Sequence, residues 1–336
     1  MIRSCAALAA LVTIVVSGPS HAIAGISTAA AHAKATIVTF DPPGSTDTRP
    51  FGINDYGVIT GSYNGHGFLR AADGSFTTFD PPRSVATQPA AINDSGVITG
   101  SFSGRRSHHA HGFVRAADGT IVTFDVEGER HTAPLAINSK DVITGVVVGS
   151  NGTLRGFLRS RGGRIKIFKS PGSSLTTAQG INDKGSITGL YANSDGIFHG
   201  FVRNATGAFT TFDPEGSTNT ESFGINNKGA VTGFYVDASG FYHGYARAAD
   251  GTITTFDPSG STFTFPVAIG KRGSTGMYTI DGDYHGFLRT AKGKIESFDV
   301  PGAADTQPTG INGGNAITGS YTAGGGVFHG FLRTPG

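Results

Sequence analysis

Apolar residues fall in short runs separated by turn residues, and the runs do not alternate regularly between apolar and polar positions. One segment has such runs at 223–226, 230–235, 243–247 and 252–257, with an Asn-Lys-Gly turn after the first and an Asp-Gly turn after the third. Runs of this length between Gly-containing turns predict β-strands joined as hairpins. A strand buried on both faces has no reason to alternate. The segment therefore predicts four antiparallel strands.

The same order of motifs recurs about every 44 residues, which is the signature of a repeat protein. Each repeat contains an Ile-Asn motif, a Thr-Gly pair, a His-Gly-Phe-x-Arg motif and a Thr-Phe-Asp ending. The Ile position of the first motif is occupied by Ile53, Ile92, Ile137, Ile181, Ile225, Ile269 and Ile311. The Arg position of the third motif is occupied by Arg70, Arg115, Arg159, Arg203, Arg247, Arg289 and Arg333. The motifs indicate seven repeats.

The cycle of motifs starts and stops out of phase. Residues 36–41 are the ending of a repeat, and residues 329–333 belong to a repeat that lacks its ending. A linear solenoid needs polar caps instead of such a split, whereas a ring can close its last sheet with a strand from the other terminus. We therefore predict an all-β, seven-bladed β-propeller over 36–336, a single domain with four antiparallel strands per blade, in which strand 36–41 completes the last blade.

Composition agrees with this class and defines the chain's ends. With 52 Gly, 15 Pro and no Trp, the chain favours many short strands. Residues 1–24 contain a basic start, an apolar run and a small-x-small site, which predict a secretory signal peptide followed by a flexible leader at 25–35. The apolar run is too short to span a membrane. We expect a protein secreted to the periplasm or the extracellular space. Its single cysteine, Cys5, is removed with the signal.

The charge balance and the motifs exclude several function classes. A formal net charge of +2 gives no indication of a nucleic-acid partner. Nucleophile elbows, zinc-binding helices, phosphate loops and complete EF-hands are missing from the sequence, so no cofactor and no metal site is expected.

The repeated unit resembles a known bacterial family. Gly-Ile-Asn-x-x-Gly-x-(Ile/Val)-Thr-Gly followed by His-Gly-Phe-(Leu/Val)-Arg is similar to the "probable extracellular repeat, HAF family", which is named for its His-Ala-Phe motif. The resemblance extends over the chain after the signal, with Gly67 and its equivalents in place of the Ala. It implies an exported repeat protein and supplies no catalytic residues.

The recurring His lies fourteen residues before an Asp in most repeats, so a hairpin about the Asp-Gly turn should bring the two side chains together. The expected pairs are His66 with Asp80, His111 with Asp125, His199 with Asp213, His243 with Asp257, His285 with Asp299, and His329 with Asp41 across the closure. A ring of general bases or metal sites is one interpretation. We favour a structural hydrogen bond, because one His beside one carboxylate makes a poor metal site. The Arg four residues later is interpreted as a hydrogen-bonding post between blades.

Function is sought where the repeats differ, and one such region is basic. Residues 100–170 contain 11 Lys/Arg against 5 Asp/Glu. We expect seven of the basic residues to meet on the face that carries the second-to-third-strand loops and the inter-blade crossings, called the upper face: Arg105, Arg106, His108, His109, Arg130, Arg155 and Lys169. Arginine suits bidentate contacts with carboxylate or sulfate, so an anionic glycan is a candidate ligand. The alternative is a solvated loop.

A second set of variable positions lies four residues before the Ile of each Ile-Asn motif. The positions are Arg49, Gln88, Ala133, Thr177, Glu221, Phe265 and Gln307. We predict that they line the channel mouth, with Arg49, Gln88 and Gln307 as ligand contacts. Glu221 paired with Glu127 or Glu129 is the candidate acid/base pair of a glycosidase.

Three functions remain open on the sequence. The favoured one is an exported, non-catalytic propeller that binds a surface or matrix component, with carbohydrate as the partner. The alternatives are a polysaccharide lyase or glycoside hydrolase acting at the upper face, and a structural or protein-interaction scaffold.

Overall fold

The computed structural model of the chain describes residues 35–105 and 107–336, without the side chains of 107 and 108. The signal peptide predicted at 1–24 and nearly all of the leader predicted at 25–35 lie outside these residues. The described residues form β-strands and no helix. Within them, no helix long and apolar enough to cross a membrane is present.

The strands are short and follow the sequence repeats. In chain order they are β1 (Thr36–Phe40), β2 (Thr48–Ile53), β3 (Ile59–Tyr63), β4 (His66–Arg70), β5 (Phe76–Phe79), β6 (Ser84–Ile92), β7 (Ile98–Gly104), β8 (Ser107–Arg115), β9 (Ile121–Phe124), β10 (Glu129–Ile137), β11 (Ile143–Gly149), β12 (Leu154–Arg159), β13 (Ile165–Phe168), β14 (Leu175–Ile181), β15 (Ile187–Ala192), β16 (Phe198–Arg203), β17 (Phe209–Phe212), β18 (Ser217–Ile225), β19 (Val231–Asp237), β20 (Tyr242–Arg247), β21 (Ile253–Phe256), β22 (Phe263–Ile269), β23 (Gly273–Ile280), β24 (Asp283–Thr290), β25 (Ile295–Phe298), β26 (Asp305–Ile311), β27 (Ile317–Thr322) and β28 (Phe328–Thr334).

Each repeat folds as four antiparallel strands paired in sequence order. We number these units by repeat: unit 1 is β2–β5, unit 2 is β6–β9, unit 3 is β10–β13, unit 4 is β14–β17, unit 5 is β18–β21, unit 6 is β22–β25, and unit 7 is β26–β28 with β1. A single parallel pair, Tyr242 with Phe263, joins units 5 and 6 into one eight-stranded sheet.

The two ends of the described chain share a sheet. Strand β1 pairs antiparallel with β28, from Thr36 opposite Thr334 to Phe40 opposite Gly330. The split repeat predicts this pairing. The pairing bonds residues near both termini into unit 7, with β1 as the outer strand of its sheet.

Units are joined by arginines, six of them buried and Arg289 half-buried. The Arg of each His-Gly-Phe-x-Arg motif, or of its equivalent, lies over a Phe ring of the preceding unit, with its Cζ 4.6–5.1 Å from the ring centroid. Arg70 of unit 1 lies over Phe40 of unit 7 in the same way. The interpretation of these residues as hydrogen-bonding posts between units holds for Arg333, which donates to Glu296 of unit 6. In the other units the guanidinium contacts the preceding unit through an aromatic face, as a cation–π contact.

Two repeated glycines are explained by close backbone approach. A Cβ at Gly61 of the Thr-Gly pair would lie 2.2 Å from the carbonyl oxygen of Arg49, and one at Gly67 would lie 2.9 Å from the Phe79 ring. Neither position leaves room for a side chain. The Phe that follows the second glycine, Phe68, is fully buried, so these motifs encode packing.

The Asn of each Ile-Asn motif joins neighbouring units. Its Oδ1 accepts backbone N–H groups of its own turn, as from Val58 to Asn54. Its Nδ2 donates to a backbone carbonyl of the next unit: Asn54 to Asn93, Asn93 to Asn138, Asn138 to Asn182, Asn182 to Asn226, Asn226 to Gly270, and Asn312 to Asn54. Six such side chains tie adjacent units on the face of the hairpin turns, called the lower face, where Gly270 takes the place of an Asn in unit 6.

Candidate functional site

The predicted His/Asp partners lie within hydrogen-bonding distance on the upper face. The shortest Nδ1-to-oxygen distances are 2.7 Å for His66–Asp80, 2.9 Å for His111–Asp125, 2.7 Å for His199–Asp213, 2.7 Å for His243–Asp257, 3.1 Å for His285–Asp299 and 2.7 Å for His329–Asp41. Two of the carboxylates, Asp41 and Asp80, also accept from a Thr hydroxyl at the start of the next unit. These contacts hold together strand ends and adjacent units.

Each of these His rings also contacts an aromatic ring on the neighbouring strand. The partners are Tyr63, Phe102, Tyr191, Tyr235, Tyr278 and Tyr321, with centroid distances of 5.1–5.8 Å. The repeated element is therefore an aromatic–His–Asp group. The aromatic member was not predicted, although its position two residues after the Thr-Gly pair is visible in the repeat.

Unit 3 departs from this group at all three positions. Val147 replaces the aromatic residue, Arg155 the His and Lys169 the Asp. Arg155 donates instead through Nη2 to both carboxylate oxygens of Glu129, at 2.5 and 2.7 Å. The Glu129 side chain is only 4% exposed, whereas that of Arg155 is 32% exposed. An ion pair has replaced the aromatic–His–Asp group.

This ion pair changes the predicted basic site. Arg155 was expected as a ligand contact, but its guanidinium is engaged by Glu129, because the two strands that carry them flank β11. Glu129 was a candidate acid/base partner of Glu221, and its carboxylate is buried against a cation. Arg155 therefore has a carboxylate partner within its own unit, and Glu129 is paired with this cation instead of with Glu221.

The other predicted basic residues differ in their surroundings. Arg105, Arg130 and Lys169 are exposed. The ring of His109 lies edge-on to that of His131, with centroids 5.3 Å apart. Burial, together with the nearby His109 and Arg130, holds the pKa of His131 below its usual value. The side chains of Arg106 and His108 lie outside the described residues.

The ring of residues that surrounds the central cavity is not the one predicted. Every innermost strand has a β-bulge, and the bulged residue two positions before the Ile lines a cavity of about 160 Å³: Phe51, Ala90, Leu135, Gln179, Phe223, Val267 and Thr309. Of the predicted positions four before the Ile, only Gln88 and Ala133 line it. The bulge leaves its extra residue unpaired, which places that residue in the cavity lining.

The remaining predicted channel contacts have other neighbours. Arg49 pairs with Asp47 at 3.0 Å, and its guanidinium covers the ring of Phe328 at 4.0 Å. Gln307 lies on β26 opposite Ser320. Neither is among the residues that line the central cavity.

Glu221 is the most perturbed carboxyl group. It lies on β18 opposite Phe234, which packs on Phe223 and Phe265 with centroids 5.8 and 4.8 Å away. Burial in these surroundings raises the pKa of Glu221 to about 7. Within the described residues its carboxylate has no hydrogen-bond partner, and Glu127 is exposed. Glu221 is therefore chemically suited to exchange a proton near neutral pH.

No group of three or more His, Cys, Asp or Glu side chains in the described part of the chain is arranged to hold a metal ion.

The chain is similar in fold to solved β-propellers. A scan against known protein families finds no match, and a search of curated proteins finds none either. A catalytically inactive virginiamycin B lyase from Staphylococcus aureus, solved with quinupristin, is 17% identical with a TM-score of 0.63, covering 90% of this chain and 100% of that one. The β-propeller domain of the Trilobed protease from Pyrococcus furiosus is 9% identical with a TM-score of 0.62, covering 85% and 95%.

A third similar structure is the BP39L lectin from Burkholderia pseudomallei. It is 11% identical with a TM-score of 0.52, and the match covers 90% of this chain and 98% of the lectin. At these identities the likeness concerns the fold alone. The chain is an all-β repeat protein with a β-propeller fold.

Proposed function

We propose that the chain is an exported, closed, seven-bladed β-propeller that binds an anionic glycan on its upper face without transforming it. Export is inferred from the signal sequence at 1–24 and from the resemblance to the HAF repeat family. The glycan role is inferred from the exposed cations of units 2 and 3.

Closure is supported by contacts between units 1 and 7 that repeat those between sequence neighbours. Arg70 packs on Phe40, and Asn312 donates to the carbonyl of Asn54. The same two contact types join most consecutive units, so unit 7 relates to unit 1 as each unit relates to the next. A propeller of seven blades accounts for this equivalence.

The observation that carries the glycan proposal is the replacement of a paired Asp by exposed Lys169 in unit 3. The Glu129–Arg155 ion pair anchors this part of the unit, so Lys169 can be cationic without leaving Arg155 unpaired. Exposed Arg130 lies on β10 of the same unit, and exposed Arg105 lies in the unit 2 loop. Exposed cations of this kind attract carboxylate or sulfate groups along an extended polymer. The lectin among the similar structures shows that a protein of similar fold can bind carbohydrate.

The test is glycan binding by a charge-reversal variant. The mature chain is titrated with heparin as a sulfated probe, alginate as a uronate probe and dextran as a neutral probe. We expect salt-sensitive binding to the two anionic probes, and a loss of tenfold or more in Lys169→Glu/Arg130→Glu.

The matched control is Lys166→Glu/Arg164→Glu, which makes the same charge change at exposed positions of unit 3 outside the proposed surface. Equal weakening by this control would mean that only net charge matters. Equal binding of dextran would overturn the anionic specificity.

Glu221 favours a second candidate, a polysaccharide lyase or hydrolase. Its pKa of about 7 suits a general acid or base, although the predicted partner Glu129 is engaged by Arg155. The same incubations are scored for new reducing or unsaturated ends. If the parent protein produces new polysaccharide ends and the Glu221→Gln variant does not, catalysis is established and the non-catalytic proposal is overturned.

A further inference from the structure

Unit 6 departs from the repeat on the lower face. Its first hairpin turn is one residue shorter than the others: Gly270 N–H donates to Gly273 O at 2.8 Å, and Ile269 pairs with Ser274. In unit 5 the corresponding Ile225 pairs with Val231, six residues on. The short turn also places Gly270 where other units have the Asn that donates to the next unit.

A groove of about 320 Å³ lies beside this turn, between units 5 and 6. Its lining contains four cationic residues, Lys228, Arg247, Lys271 and Arg289, and four hydroxyl residues, Thr252, Thr254, Ser274 and Thr290. None of the described residues that line it is an Asp or Glu. The carboxylate that follows Arg247, Asp250, is outside the lining and accepts from Thr252 N–H at 2.9 Å.

Arg289 is the least compensated of the repeated arginines. In five other units the equivalent Arg donates through Nη1 to the next backbone carbonyl, as Arg115 does to Ala116 at 3.2 Å. In unit 7, Arg333 pairs with Glu296. Arg289 donates no side-chain hydrogen bond to any described residue, and its Nε is buried without a partner, as is the Nε of each of the other six repeated arginines. The turn residue equivalent to Asp118 is Lys292 in unit 6, which adds positive charge instead of balancing it.

We propose that this groove binds the oxyanion of a small phosphate or sulfate monoester of about sugar size. Two arginines from adjacent units and two lysines supply N–H donors of the kind that recognise such groups. The hydroxyl residues suit the neutral part of the ligand. The groove volume falls within the usual range of small-molecule sites. The site is on the opposite face from the proposed glycan surface and does not depend on it.

The test uses isothermal titration of the mature chain with glucose 6-phosphate, glucose 6-sulfate and glucose. We expect saturable one-to-one binding of at least one ester and none of glucose. Lys228→Glu and Thr254→Glu, both exposed, should each weaken binding tenfold or more. The matched controls are Lys184→Glu and Thr210→Glu, which change the equivalent exposed positions of unit 4 and should alter affinity less than twofold.

The two esters distinguish the two possible ligands. Tighter binding of the phosphate ester identifies a phosphorylated ligand, and tighter binding of the sulfate ester identifies a sulfated ligand. Either result supports the site. No saturable binding at millimolar ester would overturn the proposal. Equal weakening by Lys184→Glu would also overturn it, because the effect would then come from overall charge. Thermal unfolding of each variant without ligand excludes loss of folding as the cause.

Discussion

Unit 3 and the junction of units 5 and 6 both depart from the repeat, but only unit 3 compensates for the change. In unit 3, Arg155 replaces a His and acquires Glu129 as its partner. At the junction, Glu221 on the upper face has no hydrogen-bond partner among the described residues, and Arg289 on the lower face packs on Phe256 but donates no side-chain hydrogen bond to them. A compensated change keeps a fold stable, whereas an uncompensated buried polar group has a stability cost.

Whether a departure from the repeat has a partner indicates whether it needs a functional explanation. Partnered departures such as Glu129–Arg155 are explained by packing alone. Unpartnered ones need another explanation, and a bound ligand that completes the missing contacts is one that can be tested. Four predictions test the contrast.

The largest effect is expected from breaking the compensation in unit 3. Arg155→Ala leaves the Glu129 carboxylate buried without its cation, which should lower the free energy of unfolding by about 3 kcal/mol. Urea denaturation at pH 7 measures it. The double variant Arg155→Ala/Glu129→Ala removes both charges and should recover much of the loss. A single-variant loss below about 1 kcal/mol would show that the pair is not a compensating contact.

The next effect is a pH-dependent gain from removing the unpartnered carboxyl. Burial raises the pKa of Glu221 from 4.5 to about 7, so the folded state favours the neutral acid. The stability contributed by this proton is fully present below pH 4.5 and is lost as pH rises towards 7. Glu221→Gln does not titrate and should be more stable than the parent by about 2 kcal/mol at pH 8, with no such gain at pH 4.

Thermal and urea unfolding at both pH values measure this gain. Glu127→Gln, at an exposed position, is the control and should show no comparable pH dependence. A gain for Glu221→Gln that is equal at pH 4 and pH 8 would contradict the assignment, because the effect would not follow ionisation.

Much of the fold and part of the site could be predicted from local spacing. The interval from His66 to Asp80 brings those side chains together because the Asp-Gly turn fixes the hairpin register. The Arg155–Glu129 pair could not be found in this way, since it joins two strands on opposite sides of β11. No local interval encodes that contact.

The cavity lining was misplaced because a bulge changes the register. Pro50, Pro89 and Pro134 precede the bulged residues, and a proline cannot donate to a strand ladder, so these residues were an available signal. The groove at unit 6 had a signal as well, because the sequence from Ile269 to Ser274 is one residue shorter than its equivalents. The volume of the groove depends on how units 5 and 6 pack together, and the spacing of motifs along the sequence does not determine that packing.

A smaller effect should distinguish two equivalent arginines. Arg115→Met removes a side-chain hydrogen bond to Ala116 and a favourable interaction with Asp118. Arg289→Met removes neither type of contact, although both guanidinium groups pack on a Phe ring. Arg115→Met should therefore be the more destabilising by about 1 kcal/mol in urea denaturation. Equal losses would mean that the cation–π contact alone determines the cost.

The smallest effect concerns His243, which lies in the same unit as Glu221 but has two carboxylate partners. Its Nδ1 is 2.7 Å from Asp257, and its Nε2 is 3.4 Å from Asp237. Burial opposes protonation, but the two carboxylates outweigh it and raise the pKa of His243. In unit 4 the second partner is neutral, because Asn193 lies 3.3 Å from His199.

Asp237→Asn therefore converts the unit 5 site into its unit 4 equivalent, and should lower the pKa of His243 in an NMR titration. The stability that comes from protonation is fully present below pH 6.5 and is lost as pH rises through the raised pKa. The parent's advantage over Asp237→Asn should be larger at pH 5.5 than at pH 8.5 by a few tenths of a kcal/mol, because the ring is partly exposed. An unchanged His243 pKa in Asp237→Asn would show that Asp257 alone sets it, and that the second carboxylate does not balance charge in unit 5.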